Sequence, residues 1–95
     1  MPRTKAANKD DIRIVVLQRG WVLVGKYAVN FEDEHQLTDA SVIRQWGTTA
    51  GLGQLAKGGP STTTKLDHSP TVRFHPLTVV MTLDCDSTAW TGKLR

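Results

Sequence analysis

The chain has 95 residues, of which 39% are hydrophobic, and a formal net charge of +3. This length leaves room for a single core and excludes two ordinary domains. The apolar content excludes a chain that is disordered throughout, and no apolar run approaches the roughly 20 residues of a membrane-spanning helix.

The positive charge lies mainly at the two ends of the chain. Positions 11–91 contain seven basic and eight acidic residues, so the body of the protein is close to neutral. We therefore expect a flexible basic tail at 1–10, one β-rich domain at 11–86 and a C-terminal tail at 87–95. Binding of nucleic acid through the tails would be weak and sensitive to salt, which makes nucleic acid the least favoured partner.

The only cysteine is Cys85, so the chain can form no internal disulfide and no zinc site built from several cysteines. The basic start of the chain is not followed by the apolar stretch of a signal peptide. These two features predict a cytoplasmic protein in a reducing compartment, with no membrane as partner.

The first 29 residues predict a β-hairpin. Residues 12–17 are mostly β-branched, residues 18–20 supply a turn, and residues 21–29 alternate in facing over a second strand. Gly25 interrupts this second strand, where a glycine commonly marks a bulge or a sharp bend.

The middle of the chain predicts a loop, a strand and a short helix. Residues 30–36 form an acidic loop, 37–41 are ambiguous, and 42–46 are typical of a third strand. A two-turn helix is expected within 47–60, with Thr48 or Thr49 as its N-cap, Lys57 in its last turn, and Gly58 or Gly59 at its end.

The last third of the chain predicts an exposed polar connection at 61–70 and two strands at 71–75 and 77–85. In the last strand, alternate residues form an apolar face expected in the core: Leu77, Val79, Met81, Leu83 and Cys85. Trp90 falls in a weakly patterned tail. The fold class predicted is mainly β (α+β): a small curled antiparallel sheet or a barrel-like domain, with one short helix after a glycine-rich turn.

Residues 46–56 are the most distinctive segment, because they follow a strand and open a helix. Unpaired amides at such a helix start, with glycines that allow close approach, favour an anion. The segment matches G-x-G-x-x-A, but the helix is too short for a dinucleotide-binding fold, and no Walker motif occurs. The candidate ligand-binding residues are Arg44, Trp46, Gly47, Thr48, Thr49, Gly51, Gly53, Lys57 and Arg73. The alternative is that the glycines only let the helix pack tightly and that the threonines are caps.

The spacing of the histidine, aspartate and serine residues does not favour catalysis or metal binding. His35, His68 and His75 fit no zinc motif, and Asp67 next to His68 is not accompanied by a nucleophile elbow. We expect no enzymatic activity, no metal and no cofactor, and we expect Cys85 to be a buried structural thiol.

Three stretches carry a resemblance: Arg19-Gly20-Trp21-Val22-x-Val24-Gly25, then Val42-Ile43-Arg44-x-Trp46-Gly47-Thr48-Thr49-x-Gly51-Leu52-Gly53, then Gly59-Pro60. From about residue 12 to residue 85 the chain resembles uncharacterised small proteins encoded by bacteriophages and prophages. The resemblance implies an accessory or anti-defence role in a bacterial host cell, where some proteins of this size form oligomers that sequester nucleotide signals. It brings no catalytic residues.

Three functions follow as hypotheses. The first is a non-enzymatic homo-oligomer that binds a phosphate-bearing, nucleotide-like ligand at the glycine-rich turn. The second is a protein-interaction or assembly factor acting on a host protein, with Trp21, Tyr27 and Trp46 as anchors. The third is weak nucleic-acid binding through the basic tails. A homo-oligomer is expected under the first two, because an exposed strand edge is stabilised when it is covered.

Overall fold

A computed structural model describes residues 11–29, 34–49 and 51–94. Its regular elements, in chain order, are β1 Ile12–Leu17, β2 Val22–Val29, β3 His35–Gln45, α1 Leu52–Gly58, β4 Lys65–His68, β5 Val72–Phe74, β6 Val79–Asp84 and α2 Ser87–Trp90. Two short 3-10 turns, Gln18–Gly20 and Pro76–Thr78, precede β2 and β6. The expected basic tail at 1–10 lies outside the described residues. No helix in the described ranges is long and apolar enough to cross a membrane.

The six strands form one antiparallel sheet in the order β4-β3-β2-β1-β6, and β5 pairs with the start of β3 beside β4. The predicted class, mainly β with a short helix, is confirmed. Because β6 and β4 stand at opposite ends of this order, the sheet is open, and the barrel-like alternative is wrong.

The predicted hairpin is confirmed, with β1 and β2 paired from Ile12 opposite Lys26 to Val16 opposite Val22. Gly25 lies where the register of β2 against β3 shifts, so the predicted irregularity is a bulge. The turn places Arg19 at φ 70°, a conformation that costs a non-glycine residue some strain.

The core consists of two clusters on opposite faces of the sheet. The first, which we call the helix-side cluster, joins strand residues to both helices: Ile12, Ile14, Val24, Ile43, Leu52, Leu55, Ala56 and Trp90. The second is built from strand residues alone: Val15, Leu23, Tyr27, Leu37 and Ala40. Strand residues alternate between these clusters because successive side chains of a strand point to opposite faces.

Two segments that were not predicted to be strands belong to the sheet. The third strand was expected at 42–46, but β3 begins at His35 and includes the ambiguous residues 37–41. The polar connection expected at 61–70 contains β4, whose Leu66 lies opposite Ile43 of β3. Pairing with a neighbouring strand orders this polar segment, which has little strand propensity of its own.

The expected helix is present, with Lys57 in its last turn and Gly59 ending it at φ 77°. The capping prediction is wrong, because Gly51 is the N-cap and no side chain caps the helix. The expectation of a single helix is also wrong. α2 follows β6, and its Trp90 is fully buried in the helix-side cluster rather than placed in a tail.

The last strand is shorter than predicted, and its apolar face is only partly in the core. Leu83 and Cys85 pack against the helix-side cluster, and Val79 packs against the second cluster. Leu77 lies in the turn before β6 with 79% of its surface exposed, and Met81 is 49% exposed. A register shift in the β1–β6 pairing separates Val79 from Met81, and this shift breaks the expected alternation.

Candidate functional site

The glycine-rich turn is tied to the polar segment after α1. The Gly47 carbonyl accepts hydrogen bonds from the Ser61 and Thr63 hydroxyls, at 2.8 and 3.0 Å. The Trp46 carbonyl accepts one from the Thr64 hydroxyl at 2.7 Å. A Cβ at Gly47 would lie 2.5 Å from the backbone of residues 63 and 64, so only glycine fits this contact. Sequence reasoning missed this role of the hydroxyl-rich run, although hydroxyl residues after Gly-Pro are typical of side-chain-stabilised turns.

The two threonines of the turn bond within the turn. The Thr48 hydroxyl donates to the Gly51 carbonyl at 2.8 Å, and the Thr49 hydroxyl donates to the Gln54 side chain at 3.2 Å. Trp46 is 42% exposed, and its ring lies 3.9 Å from the position of a Cβ built on Gly51. α1 has only seven residues, so its start does not by itself make an anion site.

The structure does not bring the three predicted cations together. The Arg44 Nε lies 2.8 Å from Asp67 on β4, and the Arg73 Nε lies 3.5 Å from Glu34. Arg73 lies opposite Gln36, eight residues along β3 from Arg44, which is about 26 Å of extended strand. The hydrogen bond to Asp67 also raises the pKa of the Arg44 guanidinium above its usual value.

The remaining predicted site residues lie around α1 at separate points. Lys57 is exposed in the last turn, about 8 Å along the helix axis from Leu52 at its start. Gly53 is exposed, with no other group close enough to meet a Cβ there. The turn therefore brings Trp46, Gly47, Thr48, Thr49 and Gly51 together, and the structure places Arg73 at the other end of the sheet.

Two polar pairs join neighbouring strands, and neither pair was predicted from the sequence. Ser41, which is fully buried, forms a 2.8 Å hydrogen bond with the Nδ1 of His68. The Tyr27 hydroxyl bonds the Nδ1 of His35, and the Arg13 guanidinium lies 4.4 Å above the Tyr27 ring. Burial raises the pKa of Tyr27 above its usual value. Because Ser41 has no exposed surface, its hydroxyl is not placed to attack a substrate.

Four exposed apolar side chains lie at one end of the sheet, and we call them the apolar end: Trp21, Leu77, Val80 and Met81. The last residue of β1, Leu17, lies between the two parts of this group. Its amide donates to the Trp21 carbonyl at 2.8 Å, and on its other side it lies opposite Val79, the neighbour of Val80. Gln18 also donates to the Leu77 carbonyl at 3.4 Å. Trp21 was expected to be an anchor and is 57% exposed, whereas Tyr27 is in the core.

Comparisons with protein-family models, with curated proteins and with solved structures find no match for this chain. Within the described ranges no three His, Cys, Asp or Glu side chains are grouped as metal ligands. The function is therefore argued from the geometry of the chain itself.

Proposed function

We propose that the chain is a protein-interaction module, and that it binds its partner through the apolar end. The observation that carries the proposal is the exposure of four large apolar side chains around one end of β1. Leu77 is 79% exposed, Val80 63% and Trp21 57%. Single exposed apolar residues are ordinary, but four gathered at one end of a small domain mark a region that another protein covers.

The composition of the apolar end also supports a protein partner. Trp and Met are enriched at the centres of protein interfaces, where Trp is among the residues that contribute most to affinity. The turn at Gln18–Gly20 adjoins this surface and adds two exposed polar side chains, Gln18 and Arg19. An apolar centre with a polar rim is the usual arrangement of an interface.

Site-specific photo-crosslinking in cells that express the full chain tests this proposal. Leu77→benzoylphenylalanine and Trp21→benzoylphenylalanine should each give a covalent adduct with one protein. The same substitution at Lys57, which is exposed on α1 away from the apolar end, is the matched control. The proposal is overturned if positions 77 and 21 give no more adduct than position 57.

Binding of a phosphate-bearing ligand at the glycine-rich turn is a second proposal. It is supported by the Trp46 ring, which is exposed beside Gly51 and can stack on a base. Arg44 is the nearest predicted cation along the chain, although it forms an ion pair with Asp67. The phage-type, anti-defence setting that the resemblance implies belongs to this proposal and stays a prediction.

Thermal-shift measurements with inorganic phosphate and with linear and cyclic nucleotides test the second proposal. We expect a rise in melting temperature that is reduced in Arg44→Ala and kept in Arg73→Ala, because Arg73 lies at the far end of β3. Equal shifts in both variants would remove the turn as the site, and no shift with any of these compounds would remove ligand binding.

A further inference from the structure

The outer edge of β6 is unpaired in the described part of the chain, because β6 is the last strand of the sheet and pairs only with β1. The Cys85 amide donates to the Ile12 carbonyl at 2.9 Å, so the main chain of Cys85 faces β1. Main-chain groups alternate in direction along an antiparallel strand. Leu83 therefore also faces β1, and the amide and carbonyl groups of Thr82 and Asp84 point to the open edge.

The side chains along this edge are open as well. Val80, Met81, Thr82 and Asp84 are all exposed, and two of these four belong to the apolar end. An edge strand with apolar side chains and free main-chain groups is a template for another strand. The opposite edge of the sheet is different, since it is divided between β4 and β5, and β4 carries the exposed charges of Lys65 and Asp67.

We infer that β6 pairs with β6 of a second copy of this chain, antiparallel about a two-fold axis at Thr82. This inference rests on the proposed function and names the partner. In a strand that pairs with itself in this way, each residue meets the residue at the same distance on the other side of the axis, so the two must be compatible. The residues next to Thr82 meet this condition, because Met81 precedes it and Leu83 follows it and both are apolar.

In this register the apolar pair on each side of the axis is Met81 with Leu83, and Val80 is the residue opposite Asp84. Met81 of each copy lies opposite Leu83 of the other, on the face of the sheet that carries the helix-side cluster. The two Thr82 residues lie opposite each other, and the outward amide of each donates a hydrogen bond to the outward carbonyl of the other. Apolar cross-strand pairs and Thr–Thr pairs each stabilise a sheet. The pairing thus covers Met81, which a single copy leaves half exposed.

The charge of β6 selects the antiparallel arrangement. Asp84 is its only charged residue, and its side chain is 94% exposed. In the proposed register the two Asp84 positions are four residues apart along the strand direction, about 14 Å, which exceeds the screening length at physiological salt. A parallel pair in register would place them about 5 Å apart, where like charges oppose association.

The bulge in β6 sets the extent of the pairing. The register against β1 shifts between Met81 and Val79, so regular strand geometry runs from Met81 to Asp84. A short main-chain ladder needs apolar contact beside it for stable association. Leu77 and Val80 lie next to this ladder and supply that surface.

Light scattering and disulfide trapping of the purified full chain test the inference. Wild type should have twice the mass of one chain, and Met81→Lys should return it to one chain with an unchanged circular dichroism spectrum. Thr82→Cys should form a disulfide-linked dimer on mild oxidation, because paired residues there are about 5.5 Å apart between Cα atoms. Thr62→Cys, exposed in the segment after α1, is the control and should stay largely unlinked, as should wild type, which has only Cys85.

Three outcomes would overturn the inference. The first is a wild type that is a single chain at every concentration up to the millimolar range. The second is a dimer that is unaffected by Met81→Lys, and the third is a Thr62→Cys variant that links as fast as Thr82→Cys. If the purified chain is monomeric while Leu77→benzoylphenylalanine captures another protein in cells, the second-copy inference fails and the proposed function stands. If position 77 captures nothing, the proposed function fails instead.

Discussion

The indole nitrogen of Trp90 donates a hydrogen bond of 3.2 Å to the main-chain carbonyl of Ala56, and this bond joins α2 to α1 inside the core. The Asp86 amide donates to the same carbonyl at 3.0 Å, so the start of α2 is held there too. The Asp86 side chain caps α2 by accepting from the Thr88 and Ala89 amides. The last residues of the domain are thus fixed by contacts with the middle of the chain.

Trp90→Ala should lower the free energy of unfolding by about 3–5 kcal/mol, because it removes a fully buried ring and leaves a cavity. Urea denaturation followed by circular dichroism measures this loss. Trp46→Ala is the control, since Trp46 is 42% exposed, and should cost about 1 kcal/mol or less. Equal losses for the two variants would contradict the placement of Trp90 in the core.

Gly59→Ala should destabilise the protein by about 1–3 kcal/mol, because Gly59 has a φ of 77°. Its added Cβ would also lie 2.5 Å from the Ala89 carbonyl oxygen. Gly53→Ala is the matched control: Gly53 lies inside α1, and a Cβ there meets nothing within 4 Å. This second change should stabilise the protein by about 0.5–1 kcal/mol. Thermal melts of the two variants should therefore move in opposite directions.

His68→Ala should destabilise the protein more than Ser41→Ala does, although His68 is the exposed partner. Removing the histidine leaves a buried hydroxyl without its hydrogen bond, at a cost of about 1–3 kcal/mol. Removing the serine hydroxyl leaves an exposed imidazole that water can solvate, at about 1 kcal/mol. Denaturant midpoints of the two single variants and the double variant check the order, and the reverse order would contradict this pairing.

Cys85 should react slowly with thiol reagents in the folded protein. Burial raises the pKa of its thiol to about 12, from an ordinary value of 9.0. At pH 8 the reactive thiolate fraction is therefore roughly a thousandfold lower than in the unfolded chain. Alkylation by iodoacetamide, followed by mass spectrometry with and without urea, measures the difference. Similar rates in both conditions would place Cys85 in contact with solvent.

The same thiol makes stability fall at high pH. Above about pH 9 the unfolded chain releases the Cys85 proton while the folded chain still holds it, so folding is coupled to proton uptake. The contribution of this thiol is fully present below pH 9 and is lost progressively as the pH rises toward about 12. Comparison of wild type with Cys85→Ala over this range isolates the effect of the thiol from that of other groups.

The parts of the fold that were predicted correctly are those specified by neighbouring residues. β1 follows from a run of β-branched residues, and the end of α1 follows from the glycine that stops it, Gly59. β4 was missed because Lys65–His68 is polar and is a strand only through its pairing with β3. Trp90 was missed because its burial depends on α1, more than thirty residues earlier in the chain.

In the candidate site, too, the placement of neighbouring residues was predicted correctly and that of distant residues was not. Trp46 and Gly51 were expected together and lie together, because only four residues separate them in the chain. Arg44 and Arg73 were grouped as cations, but they lie far apart. Arg44 is near the end of β3, whereas β5, which carries Arg73, pairs with the start of β3. Leu77 and Met81 of the apolar end were wrongly expected in the core for a related reason: the place of β6 at the edge of the sheet and its register shift depend on its pairing with β1.

The division of the far edge of the sheet between two short strands limits how large an assembly can become. The proposed two-fold pair would use β6 of both copies, and each end of the resulting twelve-stranded sheet would then be formed by β4 and β5. Strands of four and three residues, with Pro70 and Pro76 beside them, are poor templates for further addition. Growth of the proposed pair would therefore stop after one round, and fibre formation would be opposed.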